Sequence, residues 1–123
     1  RMPNINAALG CAQLENLDRY VADKRETAAC YAEFFKGKED ITFFTEPADC
    51  KSNYWLNAVV LKDKAAQLDF LEYTNDHGVM TRPVWELMNR LPMFEHCETD
   101  GLENTEWLAD RVVNIPSSVR LDK

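Results

Sequence analysis

Residues 54–61 read Tyr-Trp-Leu-Asn-Ala-Val-Val-Leu, a composition typical of a β-strand because aromatic and β-branched side chains dominate it. Alternate residues of a strand point to opposite faces, and here both faces are largely apolar, with Asn57 as the exception. A strand that is apolar on both faces is buried on both sides. We therefore predict that residues 54–61 form a central strand of a sheet.

Shorter strand candidates and a helix lie on either side of this strand. Residues 41–44 form a brief apolar run, and residues 112–115 form another near the end of the chain. Residues 65–76 have a helical pattern that Gly78 stops. Residues 79–81 then predict a short strand. These elements alternate between strand and helix, which favours a mixed fold.

The first third of the chain predicts a long helical segment over residues 1–36. Asn4 is placed to cap its start, and Gly10 or Asn16 marks a bend or a second start. Gly37 ends the segment. An apolar stripe at helical spacing predicts a face packed in the core: Ile5, Leu9, Leu14, Leu17, Val21, Ala28, Tyr31 and Phe35. The opposite face is expected to be solvated: Glu15, Asp18, Lys24, Arg25 and Glu33.

Two more helices are predicted in the last third. Pro83 suits the first position of a short helix over residues 84–91, and Pro92 limits that helix. Asp100 and Glu103 have the spacing of a capping box at the start of a final helix over residues 102–111.

Helices on one side of a small, mostly antiparallel sheet make an α+β domain. We expect residues 1–123 to form a single domain, since the sequence contains no repeat, low-complexity tract or flexible linker. The chain begins with Arg1 and enters its first helix within about four residues. This start predicts a portion of a longer protein.

Charge and hydropathy exclude two classes of partner. The net charge is −7, and the 14 lysines and arginines are scattered, which argues against a nucleic-acid-binding surface. No apolar run approaches the roughly 20 residues that cross a bilayer, and no signal pattern opens the chain. We expect a cytoplasmic protein that binds neither nucleic acid nor membrane.

The four cysteines are widely and irregularly spaced: Cys11, Cys30, Cys50 and Cys97. Their number permits two disulfides, but without a secretory signal we expect free thiols in a reducing compartment. A zinc site would need ligands in closer pairs. His96 beside Cys97 has no partner at metal spacing, so no metal site is predicted.

The sequence contains no complete catalytic set. Its glycines are isolated, so no glycine-rich phosphate loop is present, and no serine lies in a glycine-flanked nucleophile turn. A lysine that forms a Schiff base must have a shifted pKa, usually through burial. Every lysine of this chain lies in a polar helix face, a turn or a terminus. We therefore expect no catalytic lysine here.

Four clusters of residues remain: 1–10, 52–57, 81–85 and 114–118. In the third cluster, Pro83 holds Arg82 extended and Trp85 follows closely. A guanidinium beside an indole suits an anionic or sugar-bearing ligand. The alternative interpretation is a turn followed by a core tryptophan.

In this order, the clusters resemble the C-terminal part of the DegT/StrS-type sugar aminotransferases, especially the branch that makes bacillosamine- and legionaminic-acid-type sugars. That family has a Gly-x-Asn-Tyr-Arg-Met segment followed by Ala-Ala-x-Gly-x-x-Gln-Leu-Glu. Arg1-Met2 and residues 7–15, Ala-Ala-Leu-Gly-Cys-Ala-Gln-Leu-Glu, are similar to these motifs. The remaining similar motifs are Lys24-Arg25 with Tyr31, Ser52-Asn53-Tyr54-Trp55, Thr81-Arg82-Pro83 with Trp85, and Asn114-Ile115-Pro116-Ser117-Ser118.

The resemblance implies the small C-terminal domain of a fold-type-I enzyme that uses pyridoxal phosphate. The cofactor-binding lysine would lie in the large domain, so the chain alone would be inactive. The implied reaction transfers an amino group, with glutamate as the expected donor, to the keto carbon of a nucleotide-linked sugar. A homodimer is implied, in which Arg1 approaches the partner's cofactor phosphate. Asn53, Trp55, Arg82 and Trp85 would lie near the substrate. A stand-alone nucleotide-sugar-binding or dimerisation module is the alternative.

Overall fold

A four-stranded antiparallel sheet lies at the centre of residues 1–120, the part of the chain that the computed structural model describes. The strands lie side by side in the order β1-β2-β4-β3. Their bounds are Ile41–Phe43 (β1), Asn57–Leu61 (β2), Arg82–Pro83 (β3) and Val112–Ile115 (β4). The α+β prediction is confirmed.

The predicted central strand is confirmed as β2, which lies between β1 and β4. Its first, third and fifth residues are buried, and Val59 faces Val113 across the strand pair, both fully buried. The strand begins at Asn57 and not at Tyr54. Tyr54 has a φ of 46°, a left-handed conformation that cannot continue a strand.

Four α-helices accompany the sheet in the described residues. They are Asn4–Leu14 (α1), Leu17–Phe35 (α2), Lys64–Asp76 (α3) and Glu103–Ala109 (α4). The break predicted near Asn16 is confirmed, and so is the stop at Gly78, whose φ is 76°. The predicted Asn4 cap is wrong, because Pro3 holds the capping position and offers no side-chain acceptor.

The apolar stripe of the helical segment divides into two parts. In α2, Ala28 is buried in the core, with Tyr31 and Phe35 packed against it. In α1 no residue is buried, and Ile5 is 81% exposed. The prediction of a core face is therefore wrong for α1, because the main core cluster of the described residues takes its helical members from α2 and α3, and α4 buries Ala109.

The region after Arg82 differs most from its prediction. Pro83 pairs with Val113 as part of β3 and does not start a helix. The predicted helix over residues 84–91 is wrong, because extended backbone at Leu87 and Leu91 leaves only the short 3-10 helix Met88–Arg90. The predicted strand over residues 79–81 is displaced to Arg82–Pro83.

The final helix forms without the predicted capping box. Leu102 holds the capping position of α4 with a φ of 57°, and no side chain caps the helix. The Asp100 carboxylate accepts a long hydrogen bond from the Leu102 amide, at 3.4 Å, one residue short of the helix. The proposed pairing of Asp100 with Glu103 is therefore wrong.

Candidate functional site

An open cavity of about 570 Å³ lies at one end of the sheet. Trp55, Arg82 and Trp85, three of the four residues predicted near the substrate, line it. Lys24, Ser117 and Ser118 line it as well. The sheet topology explains this meeting of distant residues.

Antiparallel pairing sets the start of β2 beside the end of β4, where Asn57 pairs with Ile115. On the other side of β4, Arg82 of β3 pairs with Asn114. The residues that precede β2 and those that follow β4 therefore reach the same end of the sheet as β3. The cavity forms where these three segments converge.

The two tryptophans of the cavity are exposed. Trp55 is 65% exposed and Trp85 is 74% exposed, so the interpretation of Trp85 as a core residue is wrong for this structure. Arg82 is also exposed, and its nearest polar contact is the sulfur of Met80 at 3.5 Å. Among the described residues no carboxylate forms an ion pair with Arg82, so its guanidinium can pair with an anion.

Asn53 and Arg1 lie outside the cavity lining. The Asn53 side-chain oxygen accepts a hydrogen bond from the Trp55 amide at 3.0 Å, so Asn53 shapes the turn that carries Trp55. Arg1 is exposed and precedes α1.

Lys24 is the lining residue that sequence reasoning missed, because the helical pattern assigned it to the solvated face. Its ammonium donates to the carbonyl oxygen of Ser117 and, at 3.4 Å, to that of Trp55. It therefore connects α2 to two segments that are distant in the sequence. The signal that could have found it is the Lys24-Arg25 pair, which the family resemblance had already singled out.

Arg25, on the same helical turn, holds the β1–β2 loop, which we define as residues 44–56. Its guanidinium donates to both carboxylate oxygens of Glu46, at 2.7 and 3.0 Å, and to the Ser52 carbonyl at 2.6 Å. Glu46 also accepts from the Ser52 amide. The Arg25 hydrogen bonds, followed by the Ser52 amide, lower the pKa of Glu46 from 4.5 to about 2. The assignment of Arg25 to a solvated face is thus also wrong.

Tyr54 stores strain next to Trp55. A φ of 46° is unfavourable for an aromatic residue by about 1–2 kcal/mol. The ring is held in a stack with Phe43, with centroids 6.5 Å apart. The Ser52 hydroxyl accepts from the Tyr54 amide at 3.0 Å. These contacts fix the backbone from which the Trp55 indole projects.

Hydrogen bonds to α2 and β2 also hold residues 116–120. The Tyr31 hydroxyl donates to the Pro116 carbonyl at 3.1 Å, and burial raises the pKa of Tyr31 so that the donor stays protonated. The Ser117 hydroxyl accepts from the Asn57 amide at 2.7 Å. Arg120 pairs with the buried carboxylate of Asp23 at 2.9 Å. The side of the cavity that follows β4 is therefore anchored.

The model of the DegT/DnrJ/EryC1/StrS aminotransferase family matches residues 1–123. The chain belongs to this aminotransferase family. It is 29% identical over 119 residues to GDP-perosamine synthase of Escherichia coli O157:H7, covering 95% of this chain and 31% of that protein. The chain thus spans about a third of the length of the curated relatives that it matches.

Solved structures share the fold. Helicobacter pylori PseC, an aminotransferase of pseudoaminic acid biosynthesis, superposes with a TM-score of 0.89 at 20% identity, covering 99% of this chain and 34% of that one. Escherichia coli GDP-4-keto-6-deoxy-D-mannose-3-dehydratase, solved with pyridoxal phosphate, gives 0.74 at 19% identity, covering 92% and 30%. The same fold therefore occurs in an aminotransferase and in a dehydratase.

The cavity does not fit the whole cofactor of this aminotransferase family. Among residues 1–120 no aspartate, glutamate, histidine or cysteine lines it, so this part of the chain offers no carboxylate there to pair with a pyridine nitrogen. Lys24, the lysine in the lining, holds two backbone carbonyls. The lining instead provides two cations, two hydroxyls and two indoles, which can bind an anionic ligand with a flat ring.

The remaining predictions concern cysteines, metal ligands and membrane spans, and the structure describes these features in residues 1–120. All four cysteines are free and exposed. No group of three or more histidine, cysteine, aspartate or glutamate side chains in this part of the chain is arranged to hold a metal ion. Among its helices none is long and apolar enough to span a membrane.

Proposed function

We propose that this chain is the C-terminal part of a longer, pyridoxal-phosphate-dependent aminotransferase. The full enzyme transfers an amino group from glutamate to the keto carbon of a nucleotide-linked sugar, as a cytoplasmic homodimer. The chain alone is inactive and supplies part of the substrate site. One observation carries the proposal: a cavity in a chain of this family joins Arg82 and Lys24 to two exposed indoles, and no carboxylate from residues 1–120 lines it.

The chemistry of the lining supports a nucleotide sugar as the ligand. A diphosphate carries negative charge that a guanidinium can bind with two parallel hydrogen bonds. A nucleobase or sugar ring offers a flat or apolar face that an indole can cover. The net charge of −7 makes a cavity that pairs two cations, with no carboxylate of the described residues in its lining, unusual for this chain.

The names of the relatives support the same substrate class. One is a GDP-perosamine synthase, and another is the Escherichia coli dTDP-4-amino-4,6-dideoxy-D-glucose transaminase. Both names contain a nucleotide and a sugar. Because the fold also occurs in a dehydratase, amino transfer rests on family membership and on these names and not on the fold.

The cofactor would be bound largely by the remainder of the enzyme. When bound, pyridoxal phosphate supplies an electron sink for the amino transfer. From this chain, Arg1 would extend to the cofactor phosphate of the partner subunit, where a guanidinium is a suitable donor. Trp55, Arg82 and Trp85 would orient the substrate, and Asn53 would hold the turn of Trp55.

The proposal is tested in the full-length protein that contains this chain. With pyridoxal phosphate, glutamate and a keto nucleotide sugar, we expect formation of an amino sugar, detected by mass spectrometry. Arg82→Ala should raise the KM for the nucleotide sugar, while Arg90→Ala, an exposed arginine outside the cavity, should not. Equal KM values for the two variants would contradict the assignment of Arg82.

The isolated chain provides the second test. Incubation with pyridoxal phosphate and borohydride should leave every lysine of the chain unmodified at stoichiometric level. A single specific pyridoxyl-lysine, identified by peptide mapping, would show that the catalytic lysine is in this chain. Saturable binding of a nucleotide sugar by the isolated chain, weakened by Arg82→Ala, would favour the alternative of a stand-alone binding module.

A further inference from the structure

Lys24 bridges two sides of the cavity just beyond the point where the sheet joins them, which is the pair of Asn57 with Ile115 and the hydrogen bond from the Asn57 amide to the Ser117 hydroxyl. One side carries Trp55, ahead of β2, and the other carries Ser117, after β4. The Lys24 ammonium donates to a backbone carbonyl on each side. It therefore adds a second connection between the two sides, and this one comes from α2, outside the sheet.

We propose that Lys24 is a positioning residue, which sets the Trp55 indole against the Ser117 side and thereby determines affinity for the aromatic portion of the ligand. This inference rests on the proposed function, since it assumes that a nucleotide sugar occupies the cavity. Lys24 acts through Trp55 and Ser117.

The local geometry shows why such a brace is needed. Trp55 follows Tyr54, whose left-handed backbone is strained, and strained residues relax unless their surroundings hold them. Arg25 and Ser52 hold the loop on the side before Tyr54. On the side after Tyr54, the Trp55 carbonyl is held by Lys24, and the next residues enter β2. Without the brace, the indole loses its fixed position relative to Ser117.

Positioning predicts a specific pattern of coupling between residues. If Lys24 acts through Trp55, removing the indole also removes the benefit of the brace. The two losses of binding free energy are then not additive. If the lysine contacted the ligand directly, the two substitutions would act independently, and their increases in KM would multiply. A double-mutant cycle therefore separates the two roles.

The experiment measures KM and kcat of the full-length protein for the nucleotide sugar. We expect Trp55→Ala to raise KM about tenfold, as loss of one stacking surface does. Lys24→Met should raise KM about fivefold to tenfold with kcat changed less than about twofold, and the double variant should equal Trp55→Ala. Lys24→Arg, which keeps a charged donor on a long side chain, should restore most of the affinity.

Lys36→Met makes the same chemical change just after α2, at an exposed lysine outside the cavity, and should match the wild type. If Lys24→Met fails to fold, Lys24→Gln, which keeps a neutral donor, replaces it in the cycle. A fivefold rise in KM for Lys24→Met, together with a double variant whose KM equals that of Trp55→Ala, supports the inference.

Two results would overturn the inference while leaving the proposed function intact. They are a wild-type KM for the Lys24 variant, and increases in KM for Lys24 and Trp55 that multiply to about fiftyfold to a hundredfold in the double variant. A wild-type protein that shows no saturable binding of nucleotide sugar would instead refute the proposed function, and the inference with it.

Discussion

Two irregular regions each bring one tryptophan to the cavity, and the structure holds them very differently. The β1–β2 loop, residues 44–56, carries Trp55 and is held by charged hydrogen bonds from Arg25 to Glu46 and Ser52. The β3–α4 segment, residues 84–102, carries Trp85. In the described residues its side-chain hydrogen bonds and ion pairs join residues close in the sequence, such as the 3.6 Å pair of Arg90 with Glu86.

The difference indicates a division of roles within one site. The Trp55 backbone is held before binding by Asn53 and Lys24, so ordering it costs less entropy and Trp55 offers a prepared surface. Trp85 and its neighbours can adjust to the ligand at the cost of that ordering.

The largest effect is expected where the held loop loses its charged contact. Arg25→Met leaves the Glu46 carboxylate and the Ser52 carbonyl without their donor, so the loop and Trp55 lose their fixed position. We expect a clear fall in Tm and a kcat/KM lower by up to about 10²-fold, since small displacements in a site can cost that much. Calorimetry and steady-state kinetics on the full-length protein measure both.

Arg90→Met is the matched control, because it makes the same substitution in the other region. An exposed ion pair contributes about 0–1 kcal/mol, so Tm and kcat/KM should stay near the wild-type values. If the two methionine variants behave alike, the contrast between the regions is wrong.

Loss of the Trp55 indole should weaken ligand binding more than loss of the Trp85 indole does. Trp55→Ala should raise the Kd for a nucleotide sugar about tenfold, within the range for loss of one base-stacking surface. Trp85→Ala should raise this Kd less, because binding must first order the segment that carries Trp85. Isothermal titration of each full-length variant with a nucleotide sugar gives the comparison. A greater loss of affinity for Trp85→Ala would reverse the assignment of the prepared surface.

The held loop should also depend on pH. The folded pKa of Glu46, about 2, lies below its ordinary value of 4.5, so its ion pair stabilises the fold above pH 4.5. That stability is lost as the pH falls from 4.5 towards 2. The difference in free energy of unfolding between wild type and Glu46→Gln, from urea titrations at pH 6 to 2.5, should therefore shrink with falling pH. A constant difference over this range would contradict the ionic role of Glu46.

The smallest effect concerns proteolysis of the folded protein. Trypsin should cut after Arg90 before it cuts after Lys51, because the β3–α4 segment opens at lower cost than the β1–β2 loop. Mass spectrometry of early digestion products shows the order. In the Arg25→Met variant the two cuts should occur at closer rates. Early cleavage at Lys51 in the wild type would count against a held loop.

Local patterns in the sequence predicted the parts of the fold that depend on neighbouring residues. The apolar faces of residues 54–61 predicted the central strand, and Gly78 predicted the end of α3. The stripe of the first helical segment predicted an apolar face correctly but assigned α1 to the core wrongly. Periodicity shows that a face is apolar, and it cannot show which surface covers that face.

The site was predicted in part for a similar reason. Arg82 and Trp85 are close in the sequence, and Trp55 lies in a motif of the family, so local reasoning found them. The role of Lys24 depends on a carbonyl 93 residues away, and that of Arg25 on a carboxylate 21 residues away. A helical pattern assigns both side chains to a polar face and gives no information about distant partners.

The short strand β3 has a consequence for contacts between copies of the chain. It lies at one edge of the sheet, and one of its two residues, Pro83, has no amide hydrogen to offer. Proline at an edge blocks the addition of a foreign strand, which is a common protection against aggregation. At the opposite edge, β1 contains no proline and keeps its backbone donors. The ladder alternates, so the Thr42 amide faces β2 and the amides of Ile41 and Phe43 face outward. A strand from another molecule would therefore add to the sheet at Ile41 and Phe43, and a proline introduced at Ile41 would remove one of these outward donors.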